Sequence, residues 1–101
     1  MRIYFISLRA RPGQHLGESK QAGGAYISCW VKAATGADAH DTAASYVESQ
    51  GWIVEAVEKE AQAATESSAS SRKHIEQAQL DGECYVFHTW PLEDHSEESL
   101  H

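Results

Sequence analysis

Residues 25–60 have the sequence AYISCWVKAATGADAHDTAASYVESQGWIVEAVEKE, which predicts a strand, a helix and a second strand. The helix is predicted over residues 39–50, because apolar side chains recur there at helical spacing. Asp38 is predicted to cap its start and Gly51 to end it, just before the second strand. This unit predicts the architecture, but it carries no set of residues spaced for catalysis, phosphate binding or metal binding.

Three further elements are predicted outside that unit: a strand over residues 3–8, a helix over 72–80 and a strand over 84–90. Residues 9–24 contain four glycines and one proline among polar residues, which predicts a long mobile loop. Residues 92–101 are acidic and have almost nothing to bury, so we expect a disordered tail. Residues 1–91 are the right length for one α+β domain.

The order strand, strand, helix, strand, helix, strand (ββαβαβ) predicts a four-stranded sheet with both helices on one face, a two-layer α+β sandwich. This order resembles ferredoxin-like domains, although here a loop joins the first two strands directly. Residues 51–58 and 81–91 are also similar to small bacterial proteins that lack an assigned activity. The resemblance implies a fold and brings no active site with it.

Charge and composition exclude several classes of protein. Residues 1–24 carry four basic residues and one acidic residue, so the net charge of −7 leaves −10 on the rest of the chain. Nucleic-acid binding is disfavoured, because phosphate contacts need clustered lysine and arginine. No apolar run approaches the roughly 20 residues that span a bilayer. Cys29 and Cys84 are expected to be free thiols of a cytoplasmic protein, with no metal and no cofactor.

Apolar side chains occupy both faces of the predicted strands. In the strand over 25–33, Tyr26 and Trp30 point away from Ile27 and Cys29. Two helices on one face would leave an aromatic face in water, at about 25 cal/mol per Å² of apolar surface. We therefore predict that Tyr26 and Trp30 bind a second copy, a protein partner or a ligand. The alternative is shielding by the loop or the tail.

Few residues are candidates for chemistry. His88 is the candidate catalytic base, and the alternative is a half-buried strand residue bonded to backbone or water. Arg9 and Arg11 are candidates for binding an anion from the loop, and the alternative is a solvated connection. His40 and His74 each lack a second ligand one helical turn away, so neither predicts a metal site.

Three functions of different classes follow. The first is a small binding or regulatory module that uses the aromatic face for dimerisation or docking, without enzymatic activity. The second is a small dimeric enzyme with a pocket near His88, using Arg9 or Arg11. The third is an acidic inhibitor or immunity-type protein that covers a basic surface. Single-stranded RNA on Tyr26 and Trp30 fits the stacking of bases but not the charge of the chain.

Overall fold

A computed structural model describes residues 1–13, 22–65 and 69–91 of the 101-residue chain. Its elements are β1 (Arg2–Pro12), β2 (Ala22–Ala33), α1 (Gly36–Ser49), β3 (Trp52–Ala63), α2 (Ala69–Asp81) and β4 (Glu83–Pro91). The predicted ββαβαβ order and four-stranded sheet are confirmed, whereas the predicted tail lies outside the described residues. No helix in this part of the chain is long and apolar enough to cross a membrane.

The sheet has the order β3-β1-β2-β4 and is antiparallel throughout. The central strands are longer than predicted, since backbone pairing continues through Arg9 opposite Tyr26 and on to the next pair. Arg9 and Arg11 therefore lie in β1, and the predicted loop over 9–24 is shorter; its remainder, 14–21, is outside the described residues. Charged side chains do not interrupt a ladder when they alternate on its exposed side.

Helix α1 begins one turn earlier than predicted. Thr35 is the N-cap, and its Oγ1 accepts a hydrogen bond from the backbone N–H of Asp38 at 3.1 Å. The prediction of Asp38 as the N-cap is wrong, because Thr35 holds that position and Asp38 lies within the helix. Asp38 instead places negative charge in the first turn. Gly51 adopts a φ of 98° just beyond the helix, as its role as a stop requires.

The face of the sheet that carries Ile6, Leu8, Ile27, Cys29 and Val31 is called the first face, and all five are buried. Helix α1 packs on it through three fully buried small or branched residues, Ala39, Ala43 and Val47. Two alanines in this stripe let the helix axis approach the sheet closely. The first face and α1 together form the larger hydrophobic core of the described chain.

Helix α2 lies on the opposite side, the second face, which carries Phe5, Arg9, Tyr26 and Trp30. Ile75 and Ala78 of α2 pack there against Ile3 and Trp30 in a separate buried cluster. Because Trp30 alternates with Cys29 along β2, the two helices must lie on opposite faces. The prediction that both helices cover one face is therefore wrong.

Connectivity explains this difference. β2 and β3 are both antiparallel to β1 and hence parallel to each other, so the handedness rule for parallel crossovers applies to α1. β3 and β4 lie at opposite edges and run antiparallel, so that rule does not constrain α2. The ferredoxin-like resemblance, which implies both helices on one face, is not confirmed.

Helix α2 crosses only one end of the second face. Just before it, the N–H of Ala64 donates to the carbonyl of Ile3 at 3.0 Å. Just after it, the carbonyl of Gly82 accepts from the N–H of Lys32 at 2.9 Å. Ile3 and Lys32 pair with each other, so both ends of α2 are attached at the same end of the sheet. We call the part beneath α2 the covered half and the rest the open half.

Candidate functional site

The open half of the second face brings together five exposed or partly exposed side chains from three strands. Arg9, Tyr26 and His88 are direct neighbours across β1, β2 and β4. Arg11 and Trp90 lie two residues further along their strands, on the same face. No element in the described part of the chain covers this surface. Of the predicted site residues, only Trp30 lies elsewhere.

Tyr26 and Trp90 form an aromatic pair at the surface. Their ring centroids are 4.9 Å apart, with the rings tilted by 48°. Tyr26 is 45% exposed, which is high for so large a side chain in a strand. The indole lies against the backbone of β2, because a Cβ built on Gly24 would be 2.9 Å from Trp90 Cε2. Gly24 therefore makes room for Trp90.

Trp90 was not predicted as a binding residue. The signal was available, since Trp90 follows His88 by two residues on a strand and must share its face. What the sequence did not indicate is that β4 pairs with β2 and so places Trp90 beside Tyr26.

Replacing Gly24 with alanine is expected to displace the Trp90 ring, because the new methyl group would overlap it. We expect a destabilisation of about 1–3 kcal/mol from the overpacking. Loss of NMR cross-peaks between the Tyr26 and Trp90 rings would report the displacement. The matched control is Gly36→Ala, whose Cβ would meet Ala61 Cβ at an ordinary 3.4 Å. Unchanged cross-peaks in the Gly24 variant would contradict the expectation.

The arginines of the open half lie beside two carboxylates on β3. Arg9 Nη1 is 3.5 Å from Glu58 Oε2, and Arg11 Nε is 3.4 Å from Glu55 Oε2. These side chains are partly exposed, so each ion pair contributes about 0–1 kcal/mol. Arg9 Nε is buried, 3.8 Å from Glu55 Oε1, and has no hydrogen-bond partner among the described residues. The open half thus carries carboxylates at one edge, arginines beside them and aromatic rings beyond.

His88 is exposed in the structure. The alternative to catalysis, a half-buried strand residue, therefore does not describe it either. Four cavities in the described part of the chain have volumes of about 200 to 450 Å³, and His88 lines none of them. Its role as a catalytic base stays a prediction.

Trp30 lies in the covered half, where it is only 8% exposed. Its ring stacks on His74 of α2 at 4.4 Å and is tilted against Phe5 at 5.2 Å. Of the two aromatic residues predicted to bind a partner, only Tyr26 therefore reaches the open half, while Trp30 holds α2 on the sheet.

A thiol–imidazole contact was missed by sequence reasoning. Cys84 Sγ lies 3.7 Å from His74 Nδ1, because α2 crosses the sheet beside the start of β4. No spacing in the sequence indicates this pairing. Burial, and then the negative charge of Asp81, raise the pKa of Cys84, so the thiol is protonated near pH 7 and is a weak nucleophile. The described residues contain no cluster of three potential metal ligands.

The two cysteines should differ in reactivity with a thiol reagent. Burial raises the pKa of Cys29 to about 12, and that side chain is fully buried. We expect Cys84 to be alkylated slowly at pH 8, faster as the pH rises, and Cys29 only after denaturation. Mass spectrometry of the labelled peptides measures both rates.

Both raised pKa values also affect stability. The unfolded thiols ionise near pH 8.5, at which the native thiols remain protonated. The free energy of unfolding is therefore expected to fall as the pH rises above that value. In the labelling experiment, equal rates for Cys29 and Cys84 in the native protein would contradict the burial of Cys29.

The open half can therefore offer a ring surface, cations and anions to a ligand. Comparison of the chain with protein-family models, with curated proteins and with solved structures gave no significant match.

Proposed function

We propose that this protein is a small binding module and that its binding surface is the open half of the second face. The observation that carries the proposal is the exposed Tyr26–Trp90 pair, beside a helix that covers the same face only part of the way. Aromatic residues and arginine are enriched at the centres of protein interfaces, and both are present here.

The ligand we propose is a polypeptide surface. Arg9 and Arg11 alternate with Glu55 and Glu58 within 3.8 Å, so the surface has both signs of charge. A nucleic acid would be repelled by those carboxylates and by the net charge of −7. A protein partner can match each sign in turn. We also propose a cytoplasmic location, since both cysteines are free thiols, as in reducing compartments.

Selection of peptides from a displayed random library against the full chain tests this function. Selected peptides are expected to shift the backbone NMR signals of Tyr26, Trp90 and Arg9, and to bind Tyr26→Ala at least tenfold more weakly. The matched control is Val57→Ala, which shortens an exposed apolar side chain that lies opposite Leu8 on the first face. Peptides that bind Tyr26→Ala as well as the parent chain would overturn the proposal.

A random single-stranded RNA serves as the competing ligand. We expect no shift of Tyr26 or Trp90 at concentrations where the peptides saturate. A shift of those residues by RNA and not by any peptide would assign the same surface to nucleic acid.

A further inference from the structure

The second face has the shape of a step. Helix α2 connects the end of β3 at one edge of the sheet to the start of β4 at the other, and it contacts β1, β2 and β4 near one end of the sheet. A helix with its side chains is about 10 Å thick, so the covered half rises by that height above the open half. Any partner that covers the open half must fill this step.

We propose that the open half is filled by α2 of a second copy of this chain, in a reciprocal dimer. The inference rests on the proposed function and names its partner. The two copies are related by a twofold axis that runs across the strands, parallel to α2, so that each raised half enters the lowered half of the other. A twofold axis along the strands would instead press the two α2 helices together and leave both open halves uncovered.

The outward side of α2 carries a short stripe of side chains suited to this contact. Lys73, Glu76 and Leu80 follow one another at spacings of three and four residues, so they share one side of the helix. That side is opposite to Ile75 and Ala78, which face the sheet. Leu80 is 81% exposed, an apolar side chain with no cover from the described chain.

In the proposed dimer, the charges of this stripe are opposite to those of the residues it meets on the open half. Rotation about an axis parallel to α2 leaves the direction of the helix unchanged, so in both copies it runs from the β3 edge to the β4 edge. Lys73 of the second copy then lies near the carboxylates of β3, and Glu76 near Arg9 and Arg11 of β1. Leu80 reaches the rings of Tyr26 and Trp90.

The dimensions agree as well. Seven residues separate Lys73 from Leu80, about 10 Å along a helix axis. Three strand spacings separate β3 from β4, about 14 Å. The carboxylate of Glu76 would also lie close to the Arg9 side chain, which is 40% exposed.

Sedimentation velocity tests the inference. The full chain is measured between about 1 and 100 μM, the range in which weak dimers dissociate. We expect a dimer, and at least tenfold weaker association for Glu76→Lys and for Leu80→Asp. Glu48→Lys is the matched control, since it makes the same change of charge on α1, on the other side of the sheet, and should not alter association. Combining Glu76→Lys with Arg11→Glu should restore much of the lost affinity, which a merely destabilised helix would not do.

A chain that stays monomeric throughout this range would overturn the dimer, as would a dimer that neither Glu76→Lys nor Leu80→Asp weakens. Circular dichroism of each variant establishes that it is folded. The proposed function is tested by a different result, the binding of selected peptides. A monomer that still binds selected peptides at Tyr26 retains the binding surface and loses only the proposed partner, whereas a dimer with the expected mutational pattern supports both.

Discussion

Replacing Trp30 with alanine is expected to lower the free energy of unfolding by about 3–5 kcal/mol, as the removal of a buried aromatic side chain does. The indole is the largest side chain between β2 and α2. It contacts His74, Phe5 and the cluster around Ile75. Its loss opens a cavity under a helix that has few other contacts with the sheet, so we expect α2 to detach before the rest of the fold.

Urea denaturation gives the free energy, and hydrogen exchange read by mass spectrometry shows where protection is lost. Exchange should increase most in α2 (Ala69–Asp81) and much less in α1 (Gly36–Ser49). Trp30→Phe is the control, because it keeps an aromatic ring against His74 and should lose less stability. Equal loss of protection in both helices would contradict the separate roles of the two faces.

Replacing Ile27 with alanine is expected to cost about 2–5 kcal/mol, with a different pattern of exchange. Ile27 is fully buried in the middle of the first face, between Leu8 on β1 and Phe87 on β4. A cavity there weakens the contacts that join α1 to three strands at once, so α1 and the sheet should lose protection together.

Thermal unfolding by circular dichroism, together with the same exchange experiment, tests this second expectation. The control is Ile53→Ala, which removes the same atoms from an isoleucine that is 40% exposed at the β3 edge and should cost much less. A similar loss of stability in the two variants would contradict the assignment of Ile27 to the core.

Much of the fold could be predicted from local sequence signals. Gly51 ended α1, and the apolar spacing around Ala43 and Val47 identified its buried side. Strand ends were predicted less well, because hydrogen bonding between backbones does not require apolar side chains. For that reason the pairing of β1 with β2 continues through Arg9. For the same reason β3 continues past the charged residues 58–60 to Ala63.

The position of α2 could not be predicted, and it decides the functional surface. Sequence showed that Tyr26 and Trp30 share a face, but not that a helix would cover one and leave the other exposed. The position of α2 depends on which edge strand β4 pairs with, and the spacing of residues along the sequence does not determine that pairing. The Cys84–His74 contact has the same origin, since it forms only where α2 crosses β4.

In the described chain, α2 and β4 are joined to the remainder by the pairing of β4 with β2, by Tyr85 and Phe87, which pack on the first face, and by the cluster around Ile75 on the second face. β4 pairs with β2 alone, and α2 reaches the sheet mainly through one end of the second face. A hairpin, its flanking third strand and α1 would therefore persist as a unit if α2 and β4 peeled away together. We therefore expect α2 and β4 to open before the rest of the fold, and a unit that opens in this way can be exchanged between neighbouring molecules.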